Sequence, residues 1–395
     1  MGSYFISIMF TLILGVLFVI GCDVASSYFL ASGKLTLSES VVYSATIVLI
    51  GSIIAFLCGS LFLLYPNELI EKASPSALYI ALFSTPFVLL ANMYIQMFSA
   101  MQNFKLYAIL NIIQVIFLFL LTVILVYIYS MGVNGALIAI LMTSVFMILM
   151  CLMIFNFKYS LRFVKIKKKK LLAMYGYGLR YYAGKLGNTA NAQLGVLVLA
   201  FLMSAESVGI FTVAFQLITR VMLIPDTLFV LLSPKCAASK DGAPDLVTNF
   251  ARYNCALCTI VLFLFFFLCG PFINSIYPPE FFDAVLLIKI MTIGVLMRCS
   301  TKILVPYFLG TNLPGVASLS VVLGLIVNII GYFIFVPILG LSGAAISVIL
   351  SYFTSSLLLF IYFSSYTKSS FRKCFIINIS DITSLKDTWK KSNNA

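Results

Sequence analysis

Long stretches of this chain contain no charged residue, among them Met1 to Cys22, Ser40 to Asn67, Leu106 to Phe157 and Ile303 to Thr367. A helix needs about 20 apolar residues to cross the hydrocarbon layer, so each of the last two stretches has room for two crossings. The stretches are apolar on every face, which disfavours a barrel, whose strands alternate apolar and polar side chains over about 10 residues. Composition agrees: 62% of residues are hydrophobic and 9% charged, whereas soluble domains are about a quarter charged. The fold class is all-α and polytopic in a membrane. The first run lacks a basic start and a small-residue cleavage site, so it reads as a span and not as a cleaved signal.

Histidine is absent, which removes the commonest general base and metal ligand. Among nine cysteines only Cys255 and Cys258 are close, and a lone Cys-x-x-Cys in an apolar helix reads as packing. No metal, cofactor, disulfide framework or catalytic residue is expected. A membrane enzyme that polymerises glycans would need a large outer loop bearing catalytic charges, and the loops here are short.

Turn signals and charges divide the chain into eleven apolar segments: 3–22, 41–65, 77–99, 107–129, 134–157, 179–203, 208–233, 253–276, 284–309, 315–337 and 341–364. Alternate connections differ in charge. One set holds Lys34, Lys105, Lys158, Arg162, Lys165, Lys167 to Lys170, Lys235, Lys240 and Arg252, with the C-terminal tail; the other holds Lys72 beside Glu68 and Glu71, then Glu206, Glu280 and Asp283. Basic loops stay cytoplasmic, which predicts a cytoplasmic C-terminus.

The phrase Met131-Gly-Val-Asn-Gly-Ala-Leu-Ile-Ala139 returns as Leu339-Gly-Leu-Ser-Gly-Ala-Ala-Ile-Ser347. A turn repeated at this distance implies two related helix bundles, as in many secondary transporters. Laid on this repeat, the first five segments match the last five, and segment 179–203 has no partner. The expectation is a pseudo-symmetric 6+6 plan with about 11 transmembrane helices, the first helix of the N-terminal bundle being missing from this sequence. The expected domains are an N-terminal bundle (1–157), a basic linker along the membrane surface (158–178), a C-terminal bundle (179–364) and a cytoplasmic tail (365–395).

Ionisable residues inside spans are costly and default to function. Arg220 lies about 12 residues from either end of its segment, roughly 18 Å at 1.5 Å per residue, with Gln216 one turn earlier. Arg298 and Lys302 share a face of segment 284–309. Lys185, Asn188 and Asn191 lie along segment 179–203. Asp226 is the main counter-charge, readable as a structural partner of Lys302 or Lys185 or as an ion-coupling group. Arg220, Arg298 and Lys302 thus outnumber their carboxylates and are expected to line a water-filled cavity. The N-terminal half instead carries amides, chiefly Asn92 and Gln96 at helical spacing. Arginine forks bind two phosphate oxygens at once, and amides suit sugar hydroxyls.

The stretch Tyr175-Gly-Tyr-Gly-Leu-Arg-Tyr-Tyr, then Ser204-Ala-Glu-Ser-Val-Gly-Ile-Phe, Leu223-Ile-Pro-Asp, Leu232-Ser-Pro-Lys and Gly310-Thr-Asn-Leu-Pro, together with the two Gly-x-x-Gly-Ala turns, resembles the bacterial polysaccharide flippases. These are the O-antigen and capsule repeat-unit translocases of the multidrug/oligosaccharidyl-lipid/polysaccharide exporter superfamily. Two departures stand out: Arg180 occupies a position where proline is usual, and the family's first helix is not present.

The resemblance implies a MATE-like, multi-pass protein of the bacterial cytoplasmic (inner) membrane. Its substrate would be an undecaprenyl-diphosphate-linked oligosaccharide, moved outward by alternating access for O-antigen, capsule or exopolysaccharide synthesis. Arg220, Arg298, Lys302 and Lys185 would hold diphosphate or acidic sugars, and Gln216, Asn188, Asn191, Asn92 and Gln96 the glycan. Implied partners are membrane lipids, a polysaccharide polymerase and a chain-length regulator, with no nucleic acid. The competing readings are a cation-coupled multidrug antiporter of the same fold, which would need a buried carboxylate, and a non-transporting or glycan-polymerising membrane protein.

Overall fold

The computed structural model describes residues 19–64, 75–162, 164–239 and 241–376. Most of the first predicted segment, the loop bearing Glu68, Glu71 and Lys72, Lys240, and the tail from residue 377 lie outside them. Among the described residues the chain is helical with no strand, as the apolar runs require. Every predicted segment from the second onward falls on a helix.

The chain forms two compact units, Met1–Tyr182 and Ala183–Ala395. The first contains α1 (Cys22–Ala31), α2 (Leu37–Leu64), α3 (Pro75–Ala100), α4 (Phe104–Thr122), α5 (Gly132–Tyr159) and the start of α6 (Lys168–Leu202). Helices α3 and α5 pack along each other around Tyr94, Met97, Phe98, Cys151 and Phe155, with Phe98 stacked on Phe155 at 4.8 Å.

Two features of this unit differ from the sequence reading. Residues 22–31 form α1 where a loop was expected; its N-terminus follows two left-handed residues, Ile20 and Gly21. A Cβ on Gly21 would stand 2.5 Å from the carbonyl of Gly178, so glycine is needed on both counts. The basic linker, expected to run to residue 178, is also helical over its second half, because α6 begins at Lys168. The segment between α5 and α6 is tied to the start of α2: Ser38 Oγ accepts from Arg162 N at 3.1 Å, and Tyr43 Oη from Lys167 N at 2.7 Å. Lys170 pairs with Glu39 at 2.7 Å, and Glu39 closes a capping box with Thr36.

Helix α3 contains Pro86. Before it the exposed side chains include Tyr79 and Phe83; after it Asn92 is exposed while Ala91, Met93, Tyr94 and Ile95 are buried. At 3.6 residues per turn, Asn92 lies on roughly the opposite side of an ideal helix from Tyr79.

The second unit continues with the rest of α6, then α7 (Ala205–Thr219), α8 (Leu223–Ala238), α9 (Pro244–Ile276), α10 (Asp283–Lys302), α11 (Val305–Gly310), α12 (Pro314–Leu339), α13 (Leu341–Thr367) and α14 (Phe371–Phe375). Helices α12 and α13 form the most extensive contact. Hydrophobicity cannot draw helices together in lipid, so close packing of small residues does. Gly324 and Gly331 of α12 meet Ser351, Ser355 and Ser347 of α13, where an added Cβ would come within 2.9 Å of its nearest neighbour. Ser347 and Ser355 satisfy their own hydroxyls on carbonyls one turn back, at 2.8 and 2.9 Å.

The repeated turn has the same construction in both units. Its first glycine, Gly132 or Gly340, takes a positive φ of 55° or 58°. Its second, Gly135 or Gly343, lies against the backbone carbonyl of the preceding segment, Leu125 or Phe335, where a Cβ would collide. Large apolar side chains along α4 and α9, among them Ile112, Val115, Phe119, Phe263 and Phe267, are exposed, as expected of faces that meet lipid.

Candidate functional site

The polar residues of the second unit gather where a span breaks. Segment 208–233 is not one uniform helix: a 3₁₀ turn, Arg220–Met222, separates α7 from α8. Pro225 supplies the reason, since it has no N–H for the Val221 carbonyl and its ring crowds that carbonyl, so the chain tightens. Arg220 sits at this break. It is exposed, as are Gln216 one turn before and Thr227 beyond, along one stripe with Leu223. Among the described residues no carboxylate pairs with Arg220.

Helix α10 brings two further cations to the same unit. Arg298 is only 7% exposed, and its Nη2 donates to Oδ1 of Asn188 at 3.2 Å. Lys302, one turn on, pairs with Asp226 at 2.5 Å. Of the roles open to Asp226, the structure forms the structural pairing with Lys302, because Asp226 in the first turn of α8 is near enough to serve it. Their side chains are 25% and 50% exposed, so the pair contributes little stability. Arg220, Arg298, Lys302 and Asp226 together leave a local excess of positive charge.

On α6, Gly184 and Gly187 let the helix approach α12, where added Cβ atoms would stand 2.6 Å from Ser318 and 3.0 Å from Val321. Further along, Asn191 Oδ1 accepts from Asn328 Nδ2 at 2.6 Å. Both expected sugar-contacting asparagines of α6 thus have their carbonyl oxygens engaged, Asn188 with Arg298 and Asn191 with Asn328. Lys185 is half-buried, one turn from Asn188.

In the first unit, Asn92 is exposed and Gln96 half-buried on one face of α3. Asn111, another amide of that half, is occupied by its own helix, donating to Tyr107 O at 2.7 Å.

The structure adds polar residues that sequence reasoning passed over. Asn328 is 2% exposed and lies on the Gly324/Gly331 stripe of α12. Asn254 donates to Cys299 O at 2.9 Å, tying α9 to α10. Thr301 and Ser356 bond at 2.8 Å, tying α10 to α13. An asparagine in a charge-free run was the available signal for Asn328. Among the described residues no cluster of three or more His, Cys, Asp or Glu could hold a metal.

Comparison with known proteins agrees with this architecture. The family model described as polysaccharide biosynthesis protein matches residues 1–233. A Vibrio cholerae MATE transporter, VcmN in its bent form, is similar over 91% of this chain and 86% of that one, at 14% identity and a TM-score of 0.76. An outward-facing multidrug resistance MATE family transporter of the MOP superfamily matches 92% of this chain and 88% of that one, at 15% identity and a TM-score of 0.75. A MOP superfamily transporter from Pyrococcus furiosus, described as having a binding pocket of reverse polarity, matches 92% and 87%, at 14% identity and a TM-score of 0.73. No curated protein matches.

Proposed function

We propose, from the premise that this chain belongs to the polysaccharide biosynthesis protein family and is a multi-pass transporter of MATE fold, that it flips lipid-linked oligosaccharides. The substrate is an undecaprenyl-diphosphate-linked repeat unit for O-antigen, capsule or exopolysaccharide synthesis. It travels outward across the bacterial cytoplasmic membrane by alternating access, and the C-terminus is cytoplasmic.

The observation that carries this reading is Arg220. It is an exposed guanidinium at a helix break in an apolar span, next to Gln216 and without a carboxylate partner among the described residues. A diphosphate offers the paired oxygens that such a fork binds. The excess of cations also weighs against a multidrug antiporter for cationic substrates. The reverse-polarity pocket described for the Pyrococcus furiosus transporter is a precedent for the same fold carrying a different charge. Arg298 and Lys302 support the anionic end from α10, and Asn92 and Gln96 receive the glycan. Asp226 is assigned first to Lys302.

The test is a strain that depends on this gene for surface polysaccharide. Arg220→Ala should abolish surface polysaccharide and accumulate lipid-linked repeat units, with normal amounts of protein in the membrane. Normal surface polysaccharide in that variant would sink the assignment.

A further inference from the structure

A cavity of about 400 Å³ opens on the second unit between α9, α10, α13 and α14, within the ~300–1,000 Å³ range of ligand pockets. Leu296, Phe353, Leu357, Phe360, Phe371 and Phe375 supply apolar walls. Of its three hydroxyls, Thr301 and Ser356 bond to each other and Ser300 donates to Leu296 O at 2.8 Å, so they offer little to a sugar.

The short helix α14 forms one side of this cavity, and the same segment carries exposed basic residues beside it. Phe371 and Phe375 face the cavity and pack on Phe360. Cys374 is buried beneath, while Arg372 and Lys373 are exposed. Lys368 is exposed just before them, and no Asp or Glu occurs from Ile303 to Ser380. Arg252 of α9 holds α14 in this position: its Nε donates to Lys373 O at 3.0 Å and its Nη2 to Asn249 Oδ1 at 2.9 Å.

We propose that this cavity binds one acidic phospholipid, an acyl chain lying in the cavity and the phosphate against Lys368, Arg372 and Lys373. The charge argument decides the headgroup. Lipid tails are as apolar as the cavity walls, so transfer from bilayer to cavity carries no hydrophobic gain. The cavity supplies shape, and selection among lipids falls to the basic residues beside it. Basic residues at a membrane surface attract anionic headgroups, and three of them with no carboxylate paired to them among the described residues set a preference of roughly tenfold or more over a zwitterionic lipid. None of the residues that line it is one assigned to the transported substrate.

Native mass spectrometry of the full-length protein tests this, with phosphatidylglycerol, phosphatidylcholine of the same chains, and undecaprenyl phosphate as probes. Wild type should retain one phosphatidylglycerol, with phosphatidylcholine retained roughly tenfold less. Leu357→Trp fills the cavity and should remove the retained lipid. Arg372→Ala with Lys373→Ala, at exposed positions that leave the fold intact, should make the two phospholipids equivalent. Equal retention of both by wild type, undiminished retention by the filled variant, or preference for undecaprenyl phosphate would overturn the proposal.

Discussion

The guanidinium of Arg298 on α10 donates through Nη2 to Oδ1 of Asn188 on α6 at 3.2 Å, with Arg298 itself almost fully buried. Removing the acceptor of a hydrogen bond from a buried guanidinium costs stability, while replacing both partners with apolar residues can be nearly neutral. Asn188→Leu should therefore lower stability by roughly 1.5–3 kcal/mol. The double variant Asn188→Leu with Arg298→Leu should recover part of that loss. Thermal unfolding in detergent measures both, and strictly additive losses would show that the two residues are not coupled.

The Asp226–Lys302 pair behaves differently because it is open to solvent. Asp226→Asn should change stability by no more than about 1 kcal/mol. If the same variant loses transport while its unfolding temperature holds, Asp226 serves the transport cycle as well as Lys302.

Pro225 interrupts the span at Arg220. Pro225→Ala restores the missing N–H, and a proline in a helix interior costs about 3 kcal/mol relative to alanine. The variant should unfold at higher temperature and transport more slowly, because closing the 3₁₀ turn rotates Arg220 away from its present direction. Unchanged transport with a raised unfolding temperature would mean that the break has no working role.

Two glycines of the second unit should respond in opposite ways. Gly331→Val drives a side chain into Ser347 and should reduce folded protein, overpacking costing typically 1–3 kcal/mol. Gly209, in α7, has nothing within 4 Å of an added Cβ, so Gly209→Ala should stabilise by about 0.5–1 kcal/mol. Fluorescence-detected size-exclusion after heating separates these outcomes.

Burial raises the Cys374 thiol above its usual range, with Arg252 nearby working in the opposite direction. Only the thiolate reacts with alkylating agents, so modification of Cys374 should be slow at neutral pH and rise at a higher pH than for a free thiol. Arg252→Ala releases α14 and should speed the reaction by exposing the thiol. Mass spectrometry of the labelled protein follows it.

The helices were legible because charge-free runs leave a chain in lipid few alternatives, and the repeated turn was legible because only glycine meets its two demands. Arg220 could be singled out from its depth in an apolar run. What the sequence hid were pairings between distant segments. The sequence leaves Lys302 and Lys185 both open as partners of Asp226, and it is the packing of α10 beside α8 that brings Lys302 to it. Asn328 drew no notice because a single asparagine gives no partner, and Asn191 stands far away in the chain. Helix α1 falls between two apolar segments in the sequence and shows itself only through contacts such as Ser26 with Ser44 of α2 at 2.9 Å.

Helix α3 exposes Tyr79 and Phe83 before Pro86 and Asn92 after it, on nearly opposite sides. One face is apolar and the other carries an amide, so their spacing along the chain is a register. Point substitutions on either face leave that register alone. Deleting one residue between Pro86 and Asn92 turns everything beyond it by about 100°, carrying the amide toward the buried row of Ala91, Ile95 and Phe98 and bringing Met93 into its place. Helix α3 should therefore tolerate changes of residue far better than changes of length.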